Sequence, residues 1–167
     1  MNLTIPEWMQ KIYPEPLGSL ASKYFQIAYS NTLMRRLNGG HIWRKILTDI
    51  EHKVHGLLEP KGRKIYLYSG HRKNAINLLA TLDLWDTHLP RFCAATIVEL
   101  AYKIQTNEYG IKIYYFDQKN DEPNLLIIPG CNNTFCEFHK FTELIKPIIP
   151  ENYTMECGSK VNLDIYP

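Results

Sequence analysis

Apolar and polar positions along this 167-residue chain fall into patterns that assign most of its elements. Leu20, Tyr24, Ile27 and Ala28 recur at spacings of three and four, which predicts a helix over 19–35 with that stripe in the core. Before it, Pro6, Pro14, Pro16 and Gly18 exclude a long regular element, and Trp8 and Met9 are expected to anchor the segment. Leu37-Asn38-Gly39-Gly40 breaks the periodicity, and the two glycines permit close backbone approach. Ile42, Trp43, Ile46, Leu47, Ile50 and Val54 then resume it, predicting a second helix over 41–57. Residues 65–68, Ile-Tyr-Leu-Tyr, form a short strand-like run that Ser69-Gly70 ends, and Ala75, Ile76, Leu78, Leu79 and Leu82 mark a helix reaching about Trp85. Residues 95–104 and 109–116 alternate faces and predict an antiparallel hairpin. A short strand over 125–128 stops at Pro129-Gly130. A helix over 137–145, with Phe138, Phe141, Leu144 and Ile145 on one face, stops at Pro147 and Pro150. The tail from Glu151 carries little pattern.

Strands alternating with helices in a chain of this length predict one α/β unit, a sheet with flanking helices. The net charge of +2 includes no Lys/Arg run, so nothing marks an electrostatic stripe for nucleic acid. No stretch approaches the roughly 20 apolar residues of a membrane span. Thr4, Pro6, Glu7 and Gln10 interrupt any apolar leader at the start. Other features fit an extracytoplasmic compartment. Asn2, Asn132 and Asn152 each open a glycosylation sequon, and Cys131 and Cys136 are close enough to pair across a small loop. Cys93 and Cys157 have no evident partner. Secretory marks without an apolar leader give the expectation that this is the back portion of something longer.

The candidate chemistry lies in residues 64–79, KIYLYSGHRKNAINLL. His71, Arg72, Lys73 and Asn74 fall where a helix begins, and a helix start offers unpaired N–H groups and partial positive charge to an anion. Two readings stay open: a phosphate-binding corner, or a basic solvated loop between core elements. His71 is expected at the end of the strand closing near Ser69, the edge where α/β sheets place ligands. Weaker candidates are His41 after the glycine pair, His52 and His55 as metal ligands at i, i+3, and Asp83 and Asp86 beyond the helix. Each has an equally simple reading as a solvated or helix-end residue. No Gly-x-Ser-x-Gly, P-loop or His-Glu-x-x-His motif occurs.

The stretch YSGHRKNAINLLATLDLW resembles the second signature of the histidine acid phosphatases, Y-S-[GA]-H-D-T-T followed by an apolar helix. Further segments match in order: Pro6-Glu7-Trp8, the Leu-x-Gly-Gly at 37–40, a strand ending Glu99-Leu100, Glu122-Pro123, Leu-Ile-Ile-Pro-Gly-Cys at 126–131, and Thr154-Met155-Glu156-Cys157. The resemblance implies a histidine phosphatase fold, of which residues 1–35 are a remnant of the helical cap region and 36–167 the C-terminal part of the α/β domain. It makes His71 a phosphate-binding histidine and Cys131–Cys136 a disulfide loop. It puts Arg72 at the position of the family's general acid, an aspartate. Arginine keeps its proton at neutral and acid pH; it either holds phosphate bidentately or faces solvent. The family's nucleophilic histidine lies in Arg-His-Gly-x-Arg-x-Pro, which is absent from these 167 residues.

The resemblance therefore implies an acid phosphatase-like protein, truncated and inactive as this chain, with no catalytic residue assigned. The alternative is a non-catalytic phosphate-binding or protein-interaction module on the same fold. The partners implied are a phosphomonoester or phosphate anion, and a missing N-terminal half or a dimer partner; no nucleic acid or membrane, and no cofactor or metal, is expected. The implied location is secreted or lysosomal.

Overall fold

The computed structural model describes residues 4–163. At its centre, β1 (Ala95–Lys103) and β2 (Glu108–Phe116) pair antiparallel, with Ala95 opposite Phe116 and Lys103 opposite Glu108. Asn107 turns the hairpin at φ +58, a left-handed conformation that asparagine tolerates. β3 (Asn124–Leu126) and β4 (Cys136–Glu137) also pair antiparallel with β2, so β2 is interior and β1 is an edge. The period of two sorts the side chains: Ile111, Ile113 and Tyr115 are buried, while the Tyr114 hydroxyl on the other face donates to Glu99 at 2.7 Å.

Three helices pack with that buried face into one cluster. α3 (His41–Val54) supplies Trp43, Leu47 and Ile50 at helical spacing, α4 (Arg72–Thr81) supplies Leu79, and α5 (Phe138–Ile145) supplies Phe141 and Ile145. Trp43 and Phe141, both fully buried, meet edge to face with centroids 5.6 Å apart, the arrangement their ring quadrupoles favour. The Trp43 indole N–H donates to the Leu78 carbonyl at 3.1 Å, which satisfies a donor that burial would otherwise penalise. Glu137 caps α5 by accepting from the N–H groups of His139 and Lys140, and the Cys131–Cys136 disulfide closes the loop ahead of it.

The predicted hairpin, the short strand and the helix over 137–145 are therefore present to within a few residues. The N-terminal part differs more. The helix expected over 19–35 is two: α1 (Leu17–Ala28) and α2 (Thr32–Arg35), separated where Asn31 caps α2 by accepting from the Met34 N–H at 2.9 Å. α1 buries no residue; Leu20, Tyr24 and Ile27 are 64%, 64% and 55% exposed, and of the stripe read as core it is Ala28 that packs against the buried cluster of Tyr29, Ile76 and Ala80. Trp8 is 67% exposed and anchors nothing, and Met9 is half-buried.

The glycine pair does not break the helix either. A π turn over Arg36–Gly40 carries the chain from α2 straight into α3. A Cβ on Gly39 would lie 2.0 Å from Thr81 Oγ1, and one on Gly40 2.0 Å from the Ile148 carbonyl. The pair thus serves close packing, as expected, within a helix that only widens locally. Asn77 locks the contact: its amide donates to the Asn38 carbonyl at 2.8 Å and its Oδ1 accepts from the Tyr29 hydroxyl. Downstream, α3 ends at Val54, and α4 ends at Thr81, short of Trp85, because Asp83 turns left-handed at φ +56. The tail, read as patternless, forms α6 (Tyr153–Glu156), capped by Asn152 and held by both carboxylate oxygens of Glu156 on Arg36.

The run 65–68 forms no strand. Tyr66 and Tyr68 hold their rings nearly parallel, 6.5 Å apart, which is the spacing of alternate residues in an extended chain. The conformation is strand-like, but no neighbour among the described residues completes a ladder.

Candidate functional site

The corner forms where that extended run meets α4. A Cβ on Gly70 would lie 2.4 Å from the Asn74 side-chain nitrogen, so glycine lets Asn74 fold back against the turn. His71 is the N-cap residue, with φ −71 and ψ 155, and its carbonyl accepts from the Asn74 N–H at 2.8 Å. No side chain caps this helix, and the N–H groups of Arg72 and Lys73 have no intrahelical acceptor. The positive end of α4 is thus left open, with His71 and Arg72 exposed and Lys73 half-buried around it.

The Arg72 guanidinium lies 5.2 Å from the centre of the Phe92 ring, a cation–π contact on a side chain that is itself 81% exposed. Among the described residues no ion pair engages His71, Arg72 or Lys73. Phe92 is the member of this corner that sequence reasoning missed; an aromatic residue in the connector Leu89-Pro90-Arg91-Phe92 was the available signal. A cleft of about 390 Å³ opens toward the far end of α4, lined by Lys23, Tyr29, Arg35, Asp83 and Trp85 among others.

The remaining candidates disperse. His41 is half-buried and stacks on Tyr153 at 4.5 Å between ring centres; burial lowers its pKa from the usual imidazole value. His52 and His55 are exposed, and His55 Nδ1 lies 2.8 Å from the Glu51 carbonyl. No group of three or more His, Cys, Asp or Glu among the described residues is placed to hold a metal. Asp83 pairs with Arg35 at 2.5 Å, and Asp86 is exposed. Asn132 and Asn152 are exposed, and Asn2 lies outside the described residues. Cys93 and Cys157 are exposed free thiols.

A second polar cluster carries no motif at all. His88 Nε2 lies 2.8 Å from the Tyr115 hydroxyl and its Nδ1 lies 2.5 Å from the Asp86 carbonyl. Burial pushes the Tyr115 phenol up to about 12. Asp117, buried nearby, is held below the usual carboxylate value chiefly by the backbone N–H of Lys119.

Chemically, the corner can bind an oxyanion through the open helix start, the Arg72 fork and a protonated His71. Arg72, beside His71, keeps its proton and does not serve as the donor to a departing alkoxide.

Comparison with curated proteins places these features in context. The chain is 33% identical to a venom acid phosphatase of Apis mellifera over 160 residues, covering 95% of this chain and 40% of that protein. It is 31% identical to prostatic acid phosphatase of Bos taurus over 162 residues, covering 94% of this chain and 40% of the relative. A lysophosphatidic acid phosphatase type 6 of Bos taurus matches at 30% over 100 residues, 59% of this chain and 22% of that protein. The chain thus spans about 40% of the length of the acid phosphatases it matches most fully. No family model matches it.

Proposed function

The chain belongs to the histidine acid phosphatase family and has its α/β fold, and from that premise we propose that it contributes the phosphate-binding corner of an acid phosphatase-like site, without turnover by these 167 residues alone. The observation that carries this is the uncapped start of α4 with His71 and Arg72 exposed around it. Phosphoryl transfer relies on positioning and on neutralising the equatorial oxygens. The corner supplies part of that neutralisation. The nucleophile is missing because no Arg-His-Gly segment is present, and the leaving group lacks a donor because Arg72 stands at the general-acid position. Residues 36–167 act in this reading as the C-terminal part of the phosphatase domain and 1–35 as a remnant of its cap. The α1 stripe, exposed in this chain, fits a cap helix that packs on further polypeptide. A secreted or lysosomal location is supported by the Cys131–Cys136 disulfide and the exposed sequons at Asn132 and Asn152.

The test is a titration of the purified chain with inorganic phosphate, followed by the His71 ring resonances and the Arg72 and Lys73 amides. A saturable shift confined to these groups is expected, weakened about tenfold by Arg72→Ala, the loss of one charge-assisted contact. Phosphate that leaves the His71 resonances unmoved would remove the binding reading.

A further inference from the structure

We propose that Asn132 is an N-glycosylation site which the folded chain holds out to the modifying enzyme, and that Asn152, in a sequon of the same form, is withheld by the structure. The proposal rests on the secretory location argued above, since the reaction belongs to that route.

The chemistry sets what each sequon must offer. The donor is a lipid-linked oligosaccharide diphosphate. A bond forms between the asparagine Nδ2 and the anomeric carbon of the first sugar. The bond from that carbon to the diphosphate oxygen breaks, and one Nδ2 proton passes to a base of the transferase. The enzyme takes its acceptor as an open stretch of backbone, with the asparagine amide and the hydroxyl two residues on both turned toward it. A sequon reacts, then, where its backbone is accessible and both side chains are released from other bonds. The sequence pattern reports neither condition: Asn132-Asn133-Thr134 and Asn152-Tyr153-Thr154 read alike.

In the fold they differ. Asn132 is exposed at the start of the loop that the Cys131–Cys136 disulfide closes. Among the described residues no hydrogen bond engages its side chain or the Thr134 hydroxyl. Asn133 is the residue that bonds locally, its Oδ1 accepting from the Phe135 N–H at 2.9 Å. Phe135 in turn fills the space over Gly110 of β2 where a Cβ would sit. The loop is thus fastened at the disulfide and at Phe135, and Asn132 lies outside both fastenings. No helix or strand runs through residues 132–135, so presenting Asn132 breaks no ladder.

Asn152 is bound into an element. It is the N-cap of α6, and its Oδ1 accepts from the Met155 N–H at 2.8 Å. Thr154 lies inside that helix; its Oγ1 accepts from the Leu163 N–H at 2.7 Å and lies 3.2 Å from Asn162 Oδ1. The helix is held down by Glu156, whose carboxylate accepts from the Arg36 guanidinium and, at 2.9 Å, from the Glu151 N–H. Opening 152–154 would undo the cap, the helix and the hydroxyl contacts together. Timing works the same way. Arg36 lies 120 residues before Glu156, so the anchor of the tail is already made when the tail emerges. Docking of α6 therefore competes with modification at Asn152, whereas the loop at Asn132 stays accessible after folding.

The experiment expresses the full chain behind a cleavable secretory leader in insect cells and collects it from cells and medium together, so that retention hides nothing. Glycans are removed in heavy-oxygen water by an amidase that leaves aspartate, and the peptide carrying each sequon is read by mass spectrometry. The expected result is label at Asn132 in most molecules and at Asn152 in a small minority. Arg36→Ala removes the anchor and should raise occupancy at Asn152 several-fold while Asn132 stays as it was. Glu156→Gln, which keeps the shape and removes the charge, should do the same to a smaller degree. A bare preference for one sequon over another would respond to neither change. An unmodified Asn132, equal occupancy of the two sites in the unaltered chain, or occupancy at Asn152 indifferent to Arg36→Ala overturns the proposal. The leader supplies the route, so a failure at Asn132 counts against the site and not against the location. Fractionation that finds the native protein in the cytosol would count against the location and not against the accessibility of Asn132.

Discussion

The hairpin layer and the corner layer of this molecule use the same kinds of residue to opposite effect. In the first, Ile111, Ile113, Phe141 and Ile145 are buried to 0% exposure by elements of the chain itself. In the second, Ile65 and Leu67, and Leu20, Tyr24 and Ile27 of α1, carry equally regular patterns and stay exposed. An apolar pattern records that a face is to be buried; it does not record where the covering surface lies. In the hairpin layer that surface is α3, α4 and α5. For the corner layer no covering surface lies among the described residues.

The largest expected contrast is in stability. Trp43→Ala should cost about 3–5 kcal/mol by denaturant unfolding, since a fully buried indole leaves a cavity and an orphaned Leu78 carbonyl. Leu67→Ala should change stability by less than about 0.5 kcal/mol. Equal effects of the two would erase the distinction between the layers. A smaller contrast uses glycine. Gly39→Ala drives a Cβ onto Thr81 Oγ1 and the Asn77 carbonyl and should cost about 1–3 kcal/mol. Gly62→Ala, where a Cβ meets nothing within 4 Å, should be neutral or slightly stabilising in the same unfolding assay.

The smallest effect concerns the tail, which is docked by charge as well as by packing. Hydrogen bonds from Arg36 hold Glu156 at about 2, below its ordinary 4.5. That contribution is present above pH 4.5 and is lost as pH falls through about 2. His41 is lowered from 6.5 by burial, so the folded tail favours the neutral ring and its contribution declines as pH falls below 6.5. Both losses run the same way. Acidification should therefore lower the protection of the Glu156 and Cys157 amides, relative to unstructured chain at the same pH, before it lowers that of β1 and β2. Protection that falls uniformly along the chain would mean the tail is not a separate unit.

How much was legible in the sequence follows the same division. The hairpin, α5 and the Cys131–Cys136 bridge were readable because their patterns are satisfied within the chain. The position of His71 at the start of α4 was readable because Ser69-Gly70 marks the corner locally. The strand at 65–68 and the core role of the α1 stripe were misread for this chain, since periodicity cannot report an absent neighbour. The π turn through Gly39 and Gly40 was hidden for another reason: two glycines signal close approach equally in a loop and in a widened helix. Phe92 under Arg72 had no periodic signal, because contacts between loops carry none.

The central claim is that the chain holds a phosphate corner but no complete phosphatase site. The direct measurement is hydrolysis of p-nitrophenyl phosphate at acid pH by the purified 167-residue chain, beside its His71→Ala variant. An aryl phosphate has a good leaving group that scarcely needs a proton, so it is the substrate most tolerant of Arg72, and general-acid loss alone would cost about 10²–10⁴-fold. The account predicts no hydrolysis above background by either protein. Turnover by the unmodified chain that disappears in His71→Ala would contradict it, and would mean that His71 or another residue of this chain serves as the nucleophile.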